Sequence, residues 1–110
     1  MDINVKSQPE ATVVKLVGDI DGSTAPAAQQ AIMPLIQPGC KIVLDMTEVP
    51  FMSSAGLRML LVVYRQSAAS GHVVLVGLSD EIKETMEMTG FLEFFQLADT
   101  IDEGIAAVNA

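Results

Sequence analysis

The first part of the chain contains two short stretches whose residue pattern is typical of strands. In Asp2–Ser7 the apolar Ile3 and Val5 alternate with polar residues, a period of two that predicts a half-buried strand. Thr12–Val17 is rich in β-branched residues and predicts a second strand. Because Pro9 marks a turn between them, we expect the two strands to form a hairpin.

The next stretch has apolar residues at helical spacing. The pattern predicts a first helix from Thr24, as N-cap, to about Gln37, with Pro34 kinking or shortening it because proline lacks the N–H and clashes one turn back. The apolar positions of this helix are Ala27, Ala31, Ile32, Leu35 and Ile36. The continuous apolar run in Lys41–Met46 then predicts a central strand covered on both faces.

A second helix is predicted to begin at Ser53 or Ser54 and to continue to about Ala69. Either serine is a suitable N-cap, because its hydroxyl can accept a hydrogen bond from a free first-turn N–H. The spacing assigns the face toward the sheet to Leu57, Leu60, Leu61, Tyr64 and Ala68. Arg58 and Arg65 fall on the other face, on the line that also carries Ser54.

The last third of the chain predicts two strands and two helices. His72–Gly77 is a further covered strand, and Ser79 caps a helix over Asp80–Met88. A short strand follows at Phe95–Leu97, and Thr100 opens a last helix. We expect the side chains of one apolar group to be in the core, namely Phe91, Leu92, Phe94, Phe95 and Leu97.

Strands separated by helices imply right-handed crossovers between parallel strands. The predicted fold class is therefore α/β: a small mixed sheet, parallel except for an N-terminal hairpin strand, with about four helices packed on it. A chain of 110 residues, half of them apolar, is long enough to bury one core without disulfides or metal. We expect a single domain spanning residues 1–110.

The charge of the chain limits its partners. Fourteen acidic and six basic residues give a formal charge of −8, which would repel nucleic acid and suits a protein partner with a basic patch. The longest apolar run, Met59–Val63, is far too short to span a membrane, and Cys40 is alone. We therefore expect a cytoplasmic protein that binds neither nucleic acid nor membrane.

The motifs of common enzymes and cofactor sites are missing. The turn before the second helix lacks the first glycine of Gly-x-Ser-x-Gly, and no acid or nucleophile near His72, the one histidine, suggests catalysis. The loop Gly18–Thr24 contains acidic residues but lacks the remaining oxygen ligands of a calcium loop, and no phosphate-binding Gly-x-x-x-x-Gly-Lys-Ser is present. We expect no enzyme activity, no metal and no cofactor, which favours a binding module.

The segment Val43–Leu60 resembles the STAS domain proteins that act as anti-sigma-factor antagonists in bacteria. The family has a strand ending in Leu-Asp, a short loop and then Phe-Met-Asp-Ser-Ser/Ala-Gly-Leu, and this chain has Phe-Met-Ser-Ser-Ala-Gly-Leu at Phe51–Leu57. Gly18–Asp21 is similar to the family's Gly-x-Leu-Asp element, and the order of elements agrees over nearly the entire chain.

The resemblance implies a phosphorylation switch. In the family, the serine after the Asp is phosphorylated by a partner kinase that is itself the anti-sigma factor; the unphosphorylated form binds that kinase and frees a sigma factor, and a PP2C-type phosphatase restores it. Residue matching places the acceptor at Ser54, with Ser53, which replaces the family's Asp, as second choice. The implied partner surface comprises Asp21, Met52, Ser53, Ser54, Gly56 and Arg58.

Two other hypotheses remain open from the sequence. The chain is alternatively a constitutive STAS scaffold subunit in a regulatory complex, with serines that serve only as helix caps. An enzyme is the third hypothesis, disfavoured by the missing motifs.

Overall fold

The computed structural model describes all 110 residues, which form five strands and four α-helices. The elements are β1 Asp2–Ser7, β2 Thr12–Val17, α1 Ala25–Ile32, β3 Lys41–Glu48, α2 Ser54–Ala68, β4 His72–Val76, α3 Asp80–Met88, β5 Gln96–Ala98 and α4 Ile101–Val108. Short 3-10 turns occupy Met33–Leu35 and Leu92–Phe94. None of the helices is both long enough and apolar enough to cross a lipid bilayer.

The five strands form one sheet in the order β1-β2-β3-β4-β5. The β1–β2 pair is antiparallel, and every other neighbouring pair is parallel. This arrangement confirms the predicted mixed sheet with an N-terminal hairpin. It also confirms that β3 lies at the centre, where residues 42–46 are all buried because helices cover both faces.

The core is divided by the sheet into two layers of unequal size. The larger layer contains 19 buried residues and lies between the sheet and helices α1, α2 and α3. The smaller layer contains six buried residues, including Val43, Val76 and Val108, and lies beneath α4. Successive residues of β3 thus contribute to opposite layers, as the alternation of side chains along a strand requires.

Helix α1 is shorter than the predicted helix from Thr24 to about Gln37, and it ends just before Pro34. It stops at Ile32, and Pro34 lies in the 3-10 turn that follows, which confirms the predicted shortening. Its buried residues are Ala25, Ala28 and Ile32, so the assignment of Ala27 to the apolar face was wrong. Ala27 is exposed because it lies outside the stripe formed by Ala25, Ala28 and Ile32, whose spacing of three and four residues keeps them on one side of the helix.

The buried face of α2 is rotated relative to the prediction. It consists of Gly56, Leu57, Met59, Leu60, Val63 and Ser67. Leu61 and Tyr64 are only half-buried and Ala68 is exposed, so these three assignments to the sheet-facing side were wrong. Gly56 belongs to this buried face, where a Cβ atom would lie 2.9 Å from Ile20 Cγ2.

The aromatic residues near the C-terminus form a cluster at the surface of the core rather than inside it. Phe94 is 48% exposed, so the prediction that it lies in the core was wrong. Phe91 and Phe95 are half-buried, so that prediction is only partly correct for them. The Tyr64 ring lies 5.4 Å from that of Phe94 and 5.6 Å from that of Phe95. The cluster lies next to β5, the short strand at the edge of the sheet, and Phe91 and Phe95 pack against the larger core layer.

Candidate functional site

The carboxyl ends of the neighbouring parallel strands β2 and β3 bring two loops together. Ile20 and Met52 form an isolated parallel bridge between these loops. The Ile20 N–H donates to the Phe51 carbonyl at 2.9 Å, and the Ser53 N–H donates to the Ile20 carbonyl at 2.8 Å. The acidic loop after β2 and the serines after β3 are therefore fixed side by side.

Ser53 is the N-cap of α2. Its backbone is extended, and its Oγ accepts a hydrogen bond from the Ala55 N–H at 3.2 Å. This satisfies one of the free first-turn donors of the helix. The structure thus confirms that the helix begins at this pair of serines and assigns the capping role to the first of them.

Ser54 is the first residue of α2 and differs from Ser53 in its environment. Its side chain is exposed, and its hydroxyl takes part in none of the side-chain hydrogen bonds within the chain. The hydroxyl is therefore both accessible and free to react.

Asp21 organises the loop that enters α1. Its Oδ1 accepts hydrogen bonds from the Ser23 hydroxyl at 2.7 Å, the Ser23 N–H at 2.9 Å and the Thr24 N–H at 3.2 Å. These bonds, led by the Ser23 hydroxyl, stabilise the carboxylate and hold the pKa of Asp21 below its usual value. One carboxylate oxygen is thereby committed to the turn, and the residue remains negatively charged.

Thr24 stands at the predicted N-cap position of α1 but makes no capping bond with its side chain. Instead, its Oγ1 accepts from the Asp21 N–H at 2.9 Å and donates to the Asp19 carbonyl at 2.8 Å. The hydroxyl is already used in closing the acidic loop, which explains why it does not cap the helix.

Met52 and Gly56 do not lie on the surface, although both were assigned to the partner surface. Met52 is only 7% exposed, and Gly56 is buried. A Cβ atom on Gly56 would lie 2.4 Å from Met52 Cγ and 2.9 Å from Ile20 Cγ2. The two residues therefore lie where α2 packs closely against the bridge, and they expose little area in the free chain.

Phe51 is the residue that the sequence reasoning missed. Because successive side chains of an extended segment point to opposite sides, the inward Met52 sends its neighbour outward. Phe51 is 53% exposed. The sequence shows two adjacent apolar residues here, and the bridge between Ile20 and Met52 determines which of them points inward.

Arg58 lies one turn after Ser54 on the exposed side of α2 and forms no ion pair. It lines a groove of about 610 Å³ between α1 and α2, whose other walls include Ala25, Met33 and Met59. No acidic side chain lines this groove. Arg58 is thus a free cation close to the serines in an otherwise acidic molecule.

Other chemical sites are not formed around the serines. The exposed His72 pairs with Lys41 at the amino ends of β4 and β3, whereas Ser53 and Ser54 follow the carboxyl end of β3. A serine–histidine pair is therefore not assembled. No group of three His, Cys, Asp or Glu side chains is arranged to hold a metal ion.

The comparisons with known proteins agree with this geometry. The sequence model of the STAS domain family matches residues 2–104. BtrV of Bordetella bronchiseptica, named as a candidate anti-sigma factor antagonist, is 31% identical over 94 residues, which cover 84% of this chain and 81% of that protein. An anti-sigma factor antagonist from Mycobacterium paratuberculosis has a solved structure with a TM-score of 0.88 and 28% identity, covering 99% of this chain and 94% of that one.

A more distant structural neighbour shows the same fold. The Bacillus cell fate determinant SpoIIAA, solved in its phosphorylated form, has a TM-score of 0.73 and 22% identity, covering 97% of this chain and 99% of that one. The family match, the relatives and the sheet topology lead to one assignment. The chain belongs to the STAS domain family, among the anti-sigma-factor antagonists.

Proposed function

We propose that this chain is a phosphorylation-switched antagonist. The unphosphorylated form binds an anti-sigma factor that is also a serine kinase, and this binding releases a sigma factor. Phosphorylation of Ser54 blocks the complex, and a PP2C-type phosphatase reverses the block. We place these events in the cytoplasm, where the kinase finds ATP.

The contrast between the two serine hydroxyls carries the proposal. Ser54 Oγ is exposed and unbonded, whereas Ser53 Oγ is engaged by the Ala55 N–H and half-buried. A kinase needs an accessible oxygen that can line up with the γ-phosphate. The geometry therefore favours Ser54 over Ser53 as the acceptor.

The start of α2 is suited to carry the phosphate without unfolding. A phosphoryl group adds about −1.5 to −2 charge, and a helix N-terminus stabilises anions through its free N–H groups and its dipole. The amides of Ser54 and Gly56 have no acceptor within the chain. Arg58, one turn along and unpaired, offers a further favourable charge. The phosphorylated form of SpoIIAA is an instance of a STAS fold that carries this modification.

The same phosphoryl group should weaken binding of the partner. A partner packed over Ser54 would have to strip water from a dianion that lies next to the acidic loop containing Asp19 and Asp21. Burial of an imperfectly paired charge costs several kcal/mol. A loss of about 3 kcal/mol would weaken binding more than a hundredfold.

The test is phosphorylation of the purified chain by its cognate histidine-kinase-like ATPase with ATP, followed by peptide mass spectrometry. We expect one phosphate on the parent, none on Ser54→Ala and one on the matched control Ser53→Ala. Binding of the same ATPase, measured by calorimetry, should persist in Ser54→Ala and fall at least a hundredfold in Ser54→Asp.

Two outcomes would contradict the switch. If neither serine accepts phosphate, the serines are caps only, and the chain is a constitutive scaffold subunit. If Ser54→Asp binds the ATPase as tightly as the parent, phosphate at this position does not control the complex.

A further inference from the structure

We propose that Phe51 is the apolar anchor of the docking surface and that the kinase presents an apolar pocket bordered by basic side chains to receive it. This inference rests on the proposed function, because the anchor lies three residues before the acceptor Ser54. It extends the partner surface from the serines toward the first turn of α3.

The exposure of Phe51 is unusual for its position. Five large apolar residues of the chain are substantially exposed: Met1, Val5, Phe51, Met88 and Phe94. Of these, Phe51 alone belongs to the loop that carries the serines. A large aromatic side chain that becomes fully buried in an interface is the kind of residue that dominates binding energies.

The ring is presented by a rigid segment. Pro50 restricts the backbone just before Phe51, and the Phe51 carbonyl is held by the Ile20 N–H at 2.9 Å. The next residue, Met52, is locked in the core at 7% exposure. An anchor held in place in the free protein loses little conformational entropy on binding, so more of its burial is realised as affinity.

The surroundings of Phe51 determine the charge of the partner. Phe51 and Pro50 share a hollow of about 100 Å³ with Glu81, Ile82 and Thr85 of α3, and Glu81 is the only charged residue that lines it. On the other side, Asp19 and Asp21 flank the Ile20 backbone that holds Phe51. Glu81 thus borders the ring on the α3 side of a chain whose net charge is −8, which complements Lys or Arg side chains at that edge of an apolar pocket.

The anchor also provides a reason for the strength of the switch. When the ring enters its pocket, water leaves the interface beside Ser54, and an unpaired charge there becomes more costly. If the anchor is removed, the interface is wetter and a charge at residue 54 is penalised less. The effects of the two sites should therefore be non-additive.

The experiment measures binding of the purified cognate ATPase by calorimetry to the parent and to three variants. Phe51→Ala should weaken binding about thirtyfold or more, as expected for a central aromatic anchor. Met88→Ala, which removes a side chain that is 81% exposed on α3, is the matched control and should bind like the parent. Glu81→Lys should weaken binding at least fivefold, with a loss that shrinks as salt is added.

The coupling test combines Ser54→Asp with Phe51→Ala. The loss of affinity that Ser54→Asp causes should be at least fivefold smaller in the chain without the phenyl ring than in the parent. Circular dichroism and urea unfolding establish that each variant is folded. If Phe51→Ala does not fold, the salt-dependent loss of binding in Glu81→Lys tests the docking surface instead.

The proposed role of Phe51 and the proposed phosphorylation of Ser54 can be refuted independently. Binding of Phe51→Ala within threefold of the parent would overturn the anchor even if Ser54 is phosphorylated. Loss of binding in Phe51→Ala, with no phosphate on Ser54, would overturn the switch and leave the anchor. An equal loss in Met88→Ala would show that general apolar exposure is responsible and would also overturn the anchor.

Discussion

Gly56 is the residue at which the sequence requirement of the site is clearest. A side chain there would overlap Met52 and Ile20, with a Cβ 3.2 Å from the Ile20 carbonyl oxygen as well. The requirement is for space, because the helix approaches the loop bridge too closely to admit even a methyl group. Gly22, in the acidic loop, has no atom within 4 Å of the corresponding position.

We therefore predict that Gly56→Ala lowers the free energy of unfolding by about 1–2 kcal/mol, since the overlap outweighs the better helix propensity of alanine. Gly22→Ala should change stability by less than about 0.5 kcal/mol. Urea denaturation followed by circular dichroism measures both. Equal stability of the two variants would show that the loops move apart freely.

Ser23 controls the ionisation of Asp21 in the adjacent loop. Its hydroxyl is the main cause of the lowered pKa of Asp21, so Ser23→Ala should raise that pKa toward the usual 3.8. An NMR titration of the Asp21 carboxyl carbon measures the change, with Ser54→Ala as control. An unchanged Asp21 titration in Ser23→Ala would rule out this hydrogen bond as the cause.

The lowered pKa of Asp21 also predicts how the free energy of unfolding depends on pH. Because the folded pKa of Asp21 lies below 3.8, the stabilisation from its ionised form is complete above about pH 4 and is lost as pH falls through the lowered pKa. Asp21→Asn should remove this part of the acid dependence. Urea unfolding at several pH values between about 2 and 5 measures it, and parallel curves for parent and variant would contradict the assignment.

At the scale of elements, three helices begin with a hydroxyl cap. Ser53, Ser79 and Thr100 each accept a bond from a first-turn N–H. Caps of this kind are recognisable in sequence because few residue types supply the required oxygen. This is why the starts of α2, α3 and α4 were predicted closely.

We predict that Ser53→Ala and Ser79→Ala each lower the free energy of unfolding by about 1 kcal/mol, the usual contribution of a capping hydroxyl. The reason is that each leaves one first-turn N–H without its acceptor. Ser54→Ala, which removes no hydrogen bond, should leave stability unchanged. Thermal unfolding compares the three, and a loss in Ser54→Ala equal to that in Ser53→Ala would contradict the division of roles.

The faces of the elements were harder to predict than their positions. The strands β2 and β4 were located from their apolar runs, but β3 extends two residues past the predicted Met46 to Glu48. That extension depends on the pairing of Glu48 with Val17 after a register shift, a contact between strands that no local pattern records. The buried face of α2 likewise includes Gly56, which lies too close to Ile20 to admit a Cβ atom, and these residues are far apart in sequence.

The structure shows where the predicted site residues lie, and their side chains are exposed to different degrees. Ser54 and Arg58 were predicted on one exposed helix line, and both are exposed. Met52 was taken for surface and Phe51 was not considered, because motif matching gives position along the chain and no information on side-chain direction. The direction is fixed only by the bridge between Ile20 and Met52.

At the scale of the whole molecule, the charge of −8 acts on any approaching partner. The one ion pair, Lys15–Glu48, leaves Arg58 and most acidic groups uncompensated. If the kinase surface is basic, the association rate should be raised by long-range attraction at low salt. The dissociation rate, set by short-range packing, should depend on salt much less.

We therefore predict that the association rate with the cognate ATPase falls at least tenfold between about 20 mM and 500 mM NaCl, because screening shortens the reach of surface charges to a few ångströms. Stopped-flow fluorescence measures this rate. The association rate should depend less on salt in Glu81→Lys, because this variant is less negative than the parent by two charges. An association rate independent of salt would exclude a basic partner surface.

Ile20 connects the core with the exposed end of the loop and the start of α2. Its side chain is wholly buried against the start of α2, while its two peptide groups hold the carbonyl of Phe51 and the amide of Ser53. Ile20→Val would change no exposed side chain, yet we expect it to shift the Phe51 ring and the Ser54 hydroxyl together, because both neighbouring backbone segments are bonded to Ile20. A buried side chain thus controls the placement of two exposed groups without itself being accessible to another molecule.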